Sequence, residues 1–192
     1  MELAAKLQRI RLLIADVDGT LTDGKLYYLH PGEVLRCFHV HDGLGLRLVQ
    51  QAGISVALIS QDSSAAISMR AQKLGIRYCL MGVDDKASTV RQVAEMLSLK
   101  LEDVAYIGDD LTDLPAFQVV GVSSCPADAV PEVRRQASYV CRQPGGNGAV
   151  REFCELILKA QCWTLERLLA SKSYQSLHQP WVSAEMDTSK DS

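Results

Sequence analysis

The chain has 192 residues, 47% of them hydrophobic, with 20 Lys and Arg against 23 Asp and Glu for a formal charge of −3. That length suits one ordinary domain with a short appendage, and the slightly acidic balance argues against a nucleic-acid binder, which carries a basic field. No apolar run approaches the roughly 18 residues that span a bilayer, and residues 1–11 scatter Glu2, Lys6, Arg9 and Arg11 among single leucines rather than forming a signal peptide, so a cytoplasmic protein with no membrane partner is expected.

Residues 11–15 are a short apolar run ending in acids, which predicts a buried strand. Residues 25–28 and 34–40 predict two strands around a His30-Pro31-Gly32 turn. Helical spacing over 43–52 stops at Gly53, a residue suited to a C-terminal cap, and 54–59 reads as a second buried strand. A helix over 63–74 ends at Gly75; a strand over 76–80 and a helix over 85–97 follow. Residues 104–107 predict a strand terminating in Gly108-Asp109-Asp110. After it come a short helix over 113–118, with Pro115 in its first turn, and the apolar run 119–122. Pro131 starts another helix, 139–141 is a short strand, and 148–169 is a long last helix. Residues from about 171 are polar, which divides the chain into a domain over 1–170 and a mobile tail over 171–192. The six cysteines are scattered without a Cys-x-x-Cys pair, so buried, reduced thiols are expected rather than a zinc or redox site.

Apolar strands alternating with amphipathic helices predict an α/β fold, a doubly wound Rossmann-like parallel sheet covered on both faces. The 25–40 hairpin is an insertion directly after strand one. In such sheets the chemistry lies beyond the carboxyl ends of the strands. Past strand one come Asp16 and Asp18, and past strand two comes Ser60; Lys86 follows strand three, and Asp109, Asp110 and Asp113 follow strand four. Each has an ordinary explanation when taken alone: a solvated turn, a helix cap, a surface lysine, an exposed acidic loop. Their placement at successive strand ends puts them in one crevice. Carboxylates packed together repel unless a cation is present, and oxygen ligands without Cys or His select a hard ion such as Mg²⁺. Magnesium and Lys86 neutralise phosphate oxygens while Ser60 donates a hydrogen bond, a set suited to phosphoryl transfer. A carboxylate also serves as a phosphate-accepting nucleophile.

Asp16-Val17-Asp18-Gly19-Thr20-Leu21-Thr22 resembles motif one of the haloacid dehalogenase superfamily. Ser60 stands at its motif-two hydroxyl, Lys86 at its motif-three lysine, and Gly108-Asp109-Asp110-Leu111-Thr112-Asp113 at its motif four. Phe38-His39-Val40-His41-Asp42-Gly43 and Gly145-Gly146-Asn147-Gly148-Ala149-Val150-Arg151-Glu152 narrow the resemblance. They point to the branch with almost no cap domain that dephosphorylates 3-deoxy-D-manno-octulosonate (Kdo) 8-phosphate in lipopolysaccharide precursor synthesis. The resemblance covers residues of about 11–161. It implies that Asp16 attacks phosphorus, that Asp18 is acid and then base, and that Ser60 and Lys86 hold the phosphoryl group. Magnesium would be bound by Asp16, the Asp18 carbonyl and Asp109, with Asp110 and Asp113 supporting these ligands. It further implies substrate contacts from Asp18, Lys86, His39, Val40, His41, Asp42, Gly43, Arg47 and Arg70, a small acidic sugar phosphate as substrate, and a homotetramer built around the hairpins.

His39 and His41, two apart on a strand, share one face; they read as surface histidines or substrate contacts, and as a metal pair they lack a third ligand. Arg151 reads equally as a plain helix cation, and the 145–148 glycines as a flexible loop. One position departs from the pattern: where the family has Thr-Gly-Arg after strand two, this chain has Ser60-Gln61-Asp62. A charge contact at about 4 Å is worth roughly 1 to 4 kcal/mol between bulk-like and surface dielectrics, so losing that cation implies on the order of 10- to 1,000-fold in substrate preference. Arg36 and Arg47 are the cations left to compensate. The rival readings are a phosphatase of a nonulosonate 9-phosphate, a non-catalytic oligomerisation module related to that of sialic-acid cytidylyltransferases, and a receiver domain. Intact Asp16, Asp18, Lys86 and Asp109 oppose the module, and the receiver places its lysine after its last acidic cluster.

Overall fold

The computed structural model describes residues 2–30 and 34–169. The expected turn at His30-Pro31-Gly32 falls in part, and the tail over 171–192 wholly, outside the described residues. In chain order, α1 (Glu2–Arg9) leads to β1 (Leu12–Ala15), the hairpin strands β2 (Tyr27–Tyr28) and β3 (Val34–Leu35), α2 (Val40–Gln51), β4 (Ser55–Ile59), α3 (Ala65–Lys73) and β5 (Tyr78–Leu80). Then come α4 (Lys86–Met96), β6 (Val104–Ile107), α5 (Leu114–Phe117), β7 (Val122–Cys125), α6 (Pro131–Gln136), β8 (Tyr139–Val140), α7 (Ala149–Ala160) and α8 (Leu165–Leu169).

Six of these strands form one parallel sheet in the order β5-β4-β1-β6-β7-β8. Strand β1 is central, and the winding reverses beside it. The alternation of each central strand feeds two separate cores. Leu13 and Ala15 of β1 join Val56 and Leu58 of β4 and Ala105 and Ile107 of β6 on the face covered by α2 and α7. Leu12 and Ile14 join Ala57, Ile59, Val104 and Tyr106 on the face covered by α4. Successive side chains of a strand point to opposite faces, so continuous apolar runs are what a sheet covered on both faces requires. Because Ala15 pairs with both Leu58 and Ile107, the acids after β1 and β6 and the hydroxyl after β4 leave the sheet at one level.

The structure departs from the sequence expectation in four places. Helix α1 has no counterpart in the pattern reading; its Leu7 and the following Ile10 are buried in the core beneath α7. The predicted strand over 34–40 shrinks to Val34–Leu35 and a single bridge between Thr22 and Phe38. There His39 turns the chain into α2, its ring nitrogen accepting the His41 N–H at 3.2 Å, so the helix starts at Val40 rather than 43. Of the run 119–122 only Val122 lies in a strand, and Gly121 packs against the backbone of Glu102 where no Cβ fits. The last helix breaks after Ala160: Cys162 takes φ of 59°, and the Gln161 amide donates to the carbonyls of Leu7 and Ile10 at 3.3 and 2.8 Å, tying the break to α1. Of the cysteines, Cys125, Cys141 and Cys154 are buried as expected, with burial pushing the first two thiols up to about 11 and about 12, whereas Cys37 and Cys162 are exposed. No helix among the described residues is long and apolar enough to cross a membrane.

Candidate active site

The strand ends converge on a buried polar cluster. Asp16 is still held in the sheet, its N–H donating to the Ile107 carbonyl at 2.9 Å. Asp85 caps α4, and the next residue, Lys86, sends its ammonium inward to donate to Asp16 Oδ1 at 2.7 Å and to Asp113 Oδ1 at 2.6 Å. Asp113 is saturated. Its Oδ1 also accepts the Tyr106 hydroxyl at 2.7 Å, and its Oδ2 accepts the backbone N–H groups of Asp109 and Asp110 at 2.9 and 3.2 Å. Gly108 is required here, because a Cβ would strike the Asp113 carboxylate. Asp110 is exposed and caps the turn that carries Asp113.

The cluster holds more negative than positive charge, and its pKa shifts show the imbalance. Burial would strip Lys86 of its proton, but the charges of Asp16 and Asp113 outweigh it and raise the ammonium's pKa. Asp16 is driven well above the usual carboxylate range, first by burial and then by Asp113, against the pull of Lys86. Asp109 is pushed up to about 7, mainly by burial and then by the charges of Asp113 and Asp110, although the Thr20 hydroxyl donates to its Oδ1 at 2.9 Å. Oxygens of Asp16, Asp109 and Asp113 lie within 4.8 Å of one another. Since Asp113 is fully engaged, Asp16 and Asp109 are the carboxylates with lone pairs to spare. Two destabilised carboxylates in an all-oxygen pocket fit a hard divalent cation.

Around this floor stand further polar groups. Ser60, buried at the end of β4, accepts the Asp62 N–H at 3.1 Å and keeps its own hydroxyl proton to donate. Gly19, at φ of 89°, lies so close to Asp109 that a Cβ would collide with its carboxylate. Asp18 is half-buried and paired with Arg36, which also reaches Asp62. Arg36 is thus the cation that meets Asp62, whereas Arg47, half-buried on α2, is not. Partial burial works to raise the Asp62 carboxyl, but the Arg36 bond and charge outweigh it and hold the pKa below its usual value.

The expected substrate contacts separate. Arg70 joins Arg36, Phe38, Asp62 and Met69 in lining a groove of about 800 Å³ between the hairpin and α3. Arg70 Nη2 donates to the His39 carbonyl at 3.0 Å and its guanidinium lies 5.4 Å over the Phe38 ring. Within these bonds Arg36 Nη1 and Arg70 Nε are buried without a partner. His39 and His41 lie instead in a polar groove of about 440 Å³ with Arg142 and Arg151, their rings 4.8 Å apart edge to face at the start of a helix, so the shared strand face is corrected. Val40 is exposed beside them.

Asp42 and Gly43 are buried among helices and do not face the site. Asp42 accepts the N–H groups of Gly148 and Arg151 at 3.1 and 2.7 Å, docking α2 onto the start of α7, and a Cβ on Gly43 would strike Arg70. The 145–148 glycines are packed rather than loose: Gly146 N–H donates to the Thr20 carbonyl at 3.0 Å, against the motif-one loop. Tyr106 and Thr20 were missed as site residues. A tyrosine inside an apolar strand reads as core, and only the threonine's place in motif one could have signalled it.

The family model for haloacid dehalogenase-like hydrolases matches residues 80–153. The chain is 43% identical over 160 residues to the 3-deoxy-D-manno-octulosonate 8-phosphate phosphatase of Escherichia coli K12, covering 83% of this chain and 85% of that one. A crystal structure of the phosphatase of that name from Moraxella catarrhalis, in complex with magnesium, phosphate and Kdo, superposes with a TM-score of 0.81 at 42% identity, covering 83% and 92%. A structure from Legionella pneumophila, described as a haloacid dehalogenase subfamily III A hydrolase, superposes with a TM-score of 0.85 at 43% identity, covering 91% and 94%.

Proposed function

The chain belongs to the 3-deoxy-D-manno-octulosonate 8-phosphate phosphatase family of haloacid dehalogenase-like hydrolases, and on that premise we propose that it hydrolyses Kdo 8-phosphate to Kdo and phosphate through an aspartyl-phosphate. The observation that carries this reading is the buried Asp16–Lys86–Asp113 bridge beside Asp109 at the switch point of the sheet. An Asp16 oxygen forms the new bond to phosphorus as the bond to the sugar oxygen breaks, and Asp18 gives its proton to that departing oxygen. Asp18 then takes a proton from the water that attacks the aspartyl-phosphate, releasing phosphate and restoring Asp16.

Lys86 keeps Asp16 oriented and offers positive charge to the phosphoryl oxygens, and Ser60 donates its hydroxyl proton to one of them. Asp16, Asp109 and the Asp18 carbonyl would hold Mg²⁺, and Asp113 and Asp110 keep the Asp109 loop in place. When bound, the ion supplies charge neutralisation for the phosphoryl group.

The enzyme works in the cytoplasm as a homotetramer assembled through its hairpins. Leu26, Tyr27, Tyr28, Leu29 and Leu35 support that assembly, being exposed by 38%, 50%, 74%, 45% and 52%, an apolar surface that a monomer would leave in water. Wild-type and Asp16→Asn proteins assayed with Mg²⁺ against Kdo 8-phosphate, a nonulosonate 9-phosphate and simple sugar phosphates test the reaction. Phosphate release by the wild type, strongest with Kdo 8-phosphate and abolished by the substitution, is expected; release from none of them overturns the reading. A monomer by light scattering would sink the tetramer.

A further inference from the structure

Three charged side chains from three separate segments meet beside the nucleophile. Arg36, next after β3, donates from Nε to Asp18 Oδ1 at 2.7 Å and from Nη2 to Asp18 Oδ2 at 3.3 Å. This two-point pairing sets the plane of the carboxylate as well as its position. The same Nη2 bonds Asp62. Asp62 is itself fixed, its Oδ1 accepting the Ser64 N–H at 2.8 Å and its own N–H donating to Ser60 Oγ at 3.1 Å. The Arg36 side chain is closed to solvent, at 0% exposure, while those of Asp18 and Asp62 keep 29% and 40%.

We infer that Arg36 is a positioning residue for Asp18, and that Asp62 is the anchor that holds Arg36 in place. The inference rests on the proposed reading of Asp18 as proton donor. Asp18 stands in the loop after β1, and proton transfer needs its oxygen about 2.6 to 3.2 Å from the leaving oxygen. A carboxylate free to rotate would meet that condition only part of the time. Arg36 grips Oδ1 more closely than Oδ2, at 2.7 against 3.3 Å, which selects one orientation of the Asp18 carboxyl group.

The anchor explains the departure at position 62. An arginine there would repel Arg36, whereas Asp62 attracts it. The charge expected after strand two is therefore moved to the hairpin and turned on Asp18. The chain of contacts also joins Ser60, which holds phosphate, to Asp18, which serves the leaving group, so both ends of the scissile bond are aligned on one frame. The hairpin supplies the link, which couples its placement to the chemistry.

The test separates leaving groups. A sugar alkoxide must be protonated as it departs, whereas nitrophenolate leaves without a proton, so loss of Asp18 positioning slows the first far more than the second. Leaving-group release is measured in single turnover for Arg36→Met, Arg36→Lys, Asp62→Asn and Asp18→Asn with Kdo 8-phosphate and with p-nitrophenyl phosphate. Arg36→Met is expected to slow sugar release about 100-fold, the scale of a misplaced reacting group, and nitrophenol release about threefold or less. Arg36→Lys restores part of the loss, and Asp62→Asn shows a smaller loss with the same leaving-group dependence. Because the anchor acts through Arg36, the double variant is no slower than Arg36→Met alone. Equal losses on both substrates, a weaker half-saturation with the maximal single-turnover rate intact, or no change overturns the inference; Asp62→Asn decides it if Arg36→Met fails to fold. A wild type inactive on both substrates would instead overturn the parent reading.

Discussion

Two groups of charges flank Asp16, and they are built on opposite plans. At the floor, Lys86 is locked between Asp16 and Asp113 at the tips of the sheet, nearly closed to water, with Asp113 engaged by four donors. At the rim, Arg36 spans Asp18 and Asp62, two carboxylates still partly open to solvent, and it follows the two-stranded hairpin rather than a strand of the main sheet. The floor is held by the fold and in turn constrains it, since every group in it would be costly to leave unpaired. The rim is held by one ion triad. The contrast is between charges fixed at the ends of the sheet strands and charges whose placement depends on a contact from the hairpin segment.

Four experiments break or sharpen this contrast. Lys86→Met leaves Asp16 and Asp113 facing one another without a cation, and should cost about 3 to 5 kcal/mol of stability by urea unfolding in the absence of metal. A loss under about 1 kcal/mol would mean that the floor is no more structural than the rim. Next, the pKa of about 7 at Asp109 makes protons compete with Mg²⁺. Binding measured by calorimetry should weaken by up to about tenfold per pH unit below 7 and level off above it. The same shift makes the metal-free folded state hold a proton that the unfolded chain releases. Between the ordinary carboxylate value and about 7, this group's contribution to stability therefore falls as pH rises, and Mg²⁺ should restore the loss above 7.

Asp42→Ala removes the carboxylate that receives the first N–H groups of α7. It should lower stability by about 1 to 2 kcal/mol while leaving KM for the sugar phosphate unchanged, which places Asp42 in helix docking and outside both charged groups. Last, Arg36→Met should cost under about 1 kcal/mol in the same unfolding assay, as expected for a pair whose partners are partly solvated, despite its large effect on leaving-group release. A loss as large as that of Lys86→Met would erase the distinction between floor and rim.

The sheet was legible from its strands because burial on both faces demands continuous apolar runs, and 11–15, 54–59 and 104–107 could hardly fold otherwise. The edges of the pattern were less legible. His39 ends one element and caps the next, and nothing in the periodicity of 34–40 distinguishes a strand from a turn into a helix. Helix α1 was not read from the sequence because eight residues are marginal for an isolated helix, which acquires its stability from packing under α7.

The sequence by itself determined which residues are gathered at the reaction centre. Asp16, Ser60, Lys86 and Asp109 each follow a strand, and a parallel sheet delivers all strand ends to one side. Only the tertiary structure decided the pairings: that Arg36 rather than Arg47 meets Asp62, that Tyr106 completes Asp113, and that Asp42 receives the first N–H groups of α7. Those pairings join residues 18 or more positions apart in the case of Arg36 and over 100 in the case of Asp42. Local periodicity carries no information at such separations, because the distance is set by how the hairpin and helices pack against the sheet.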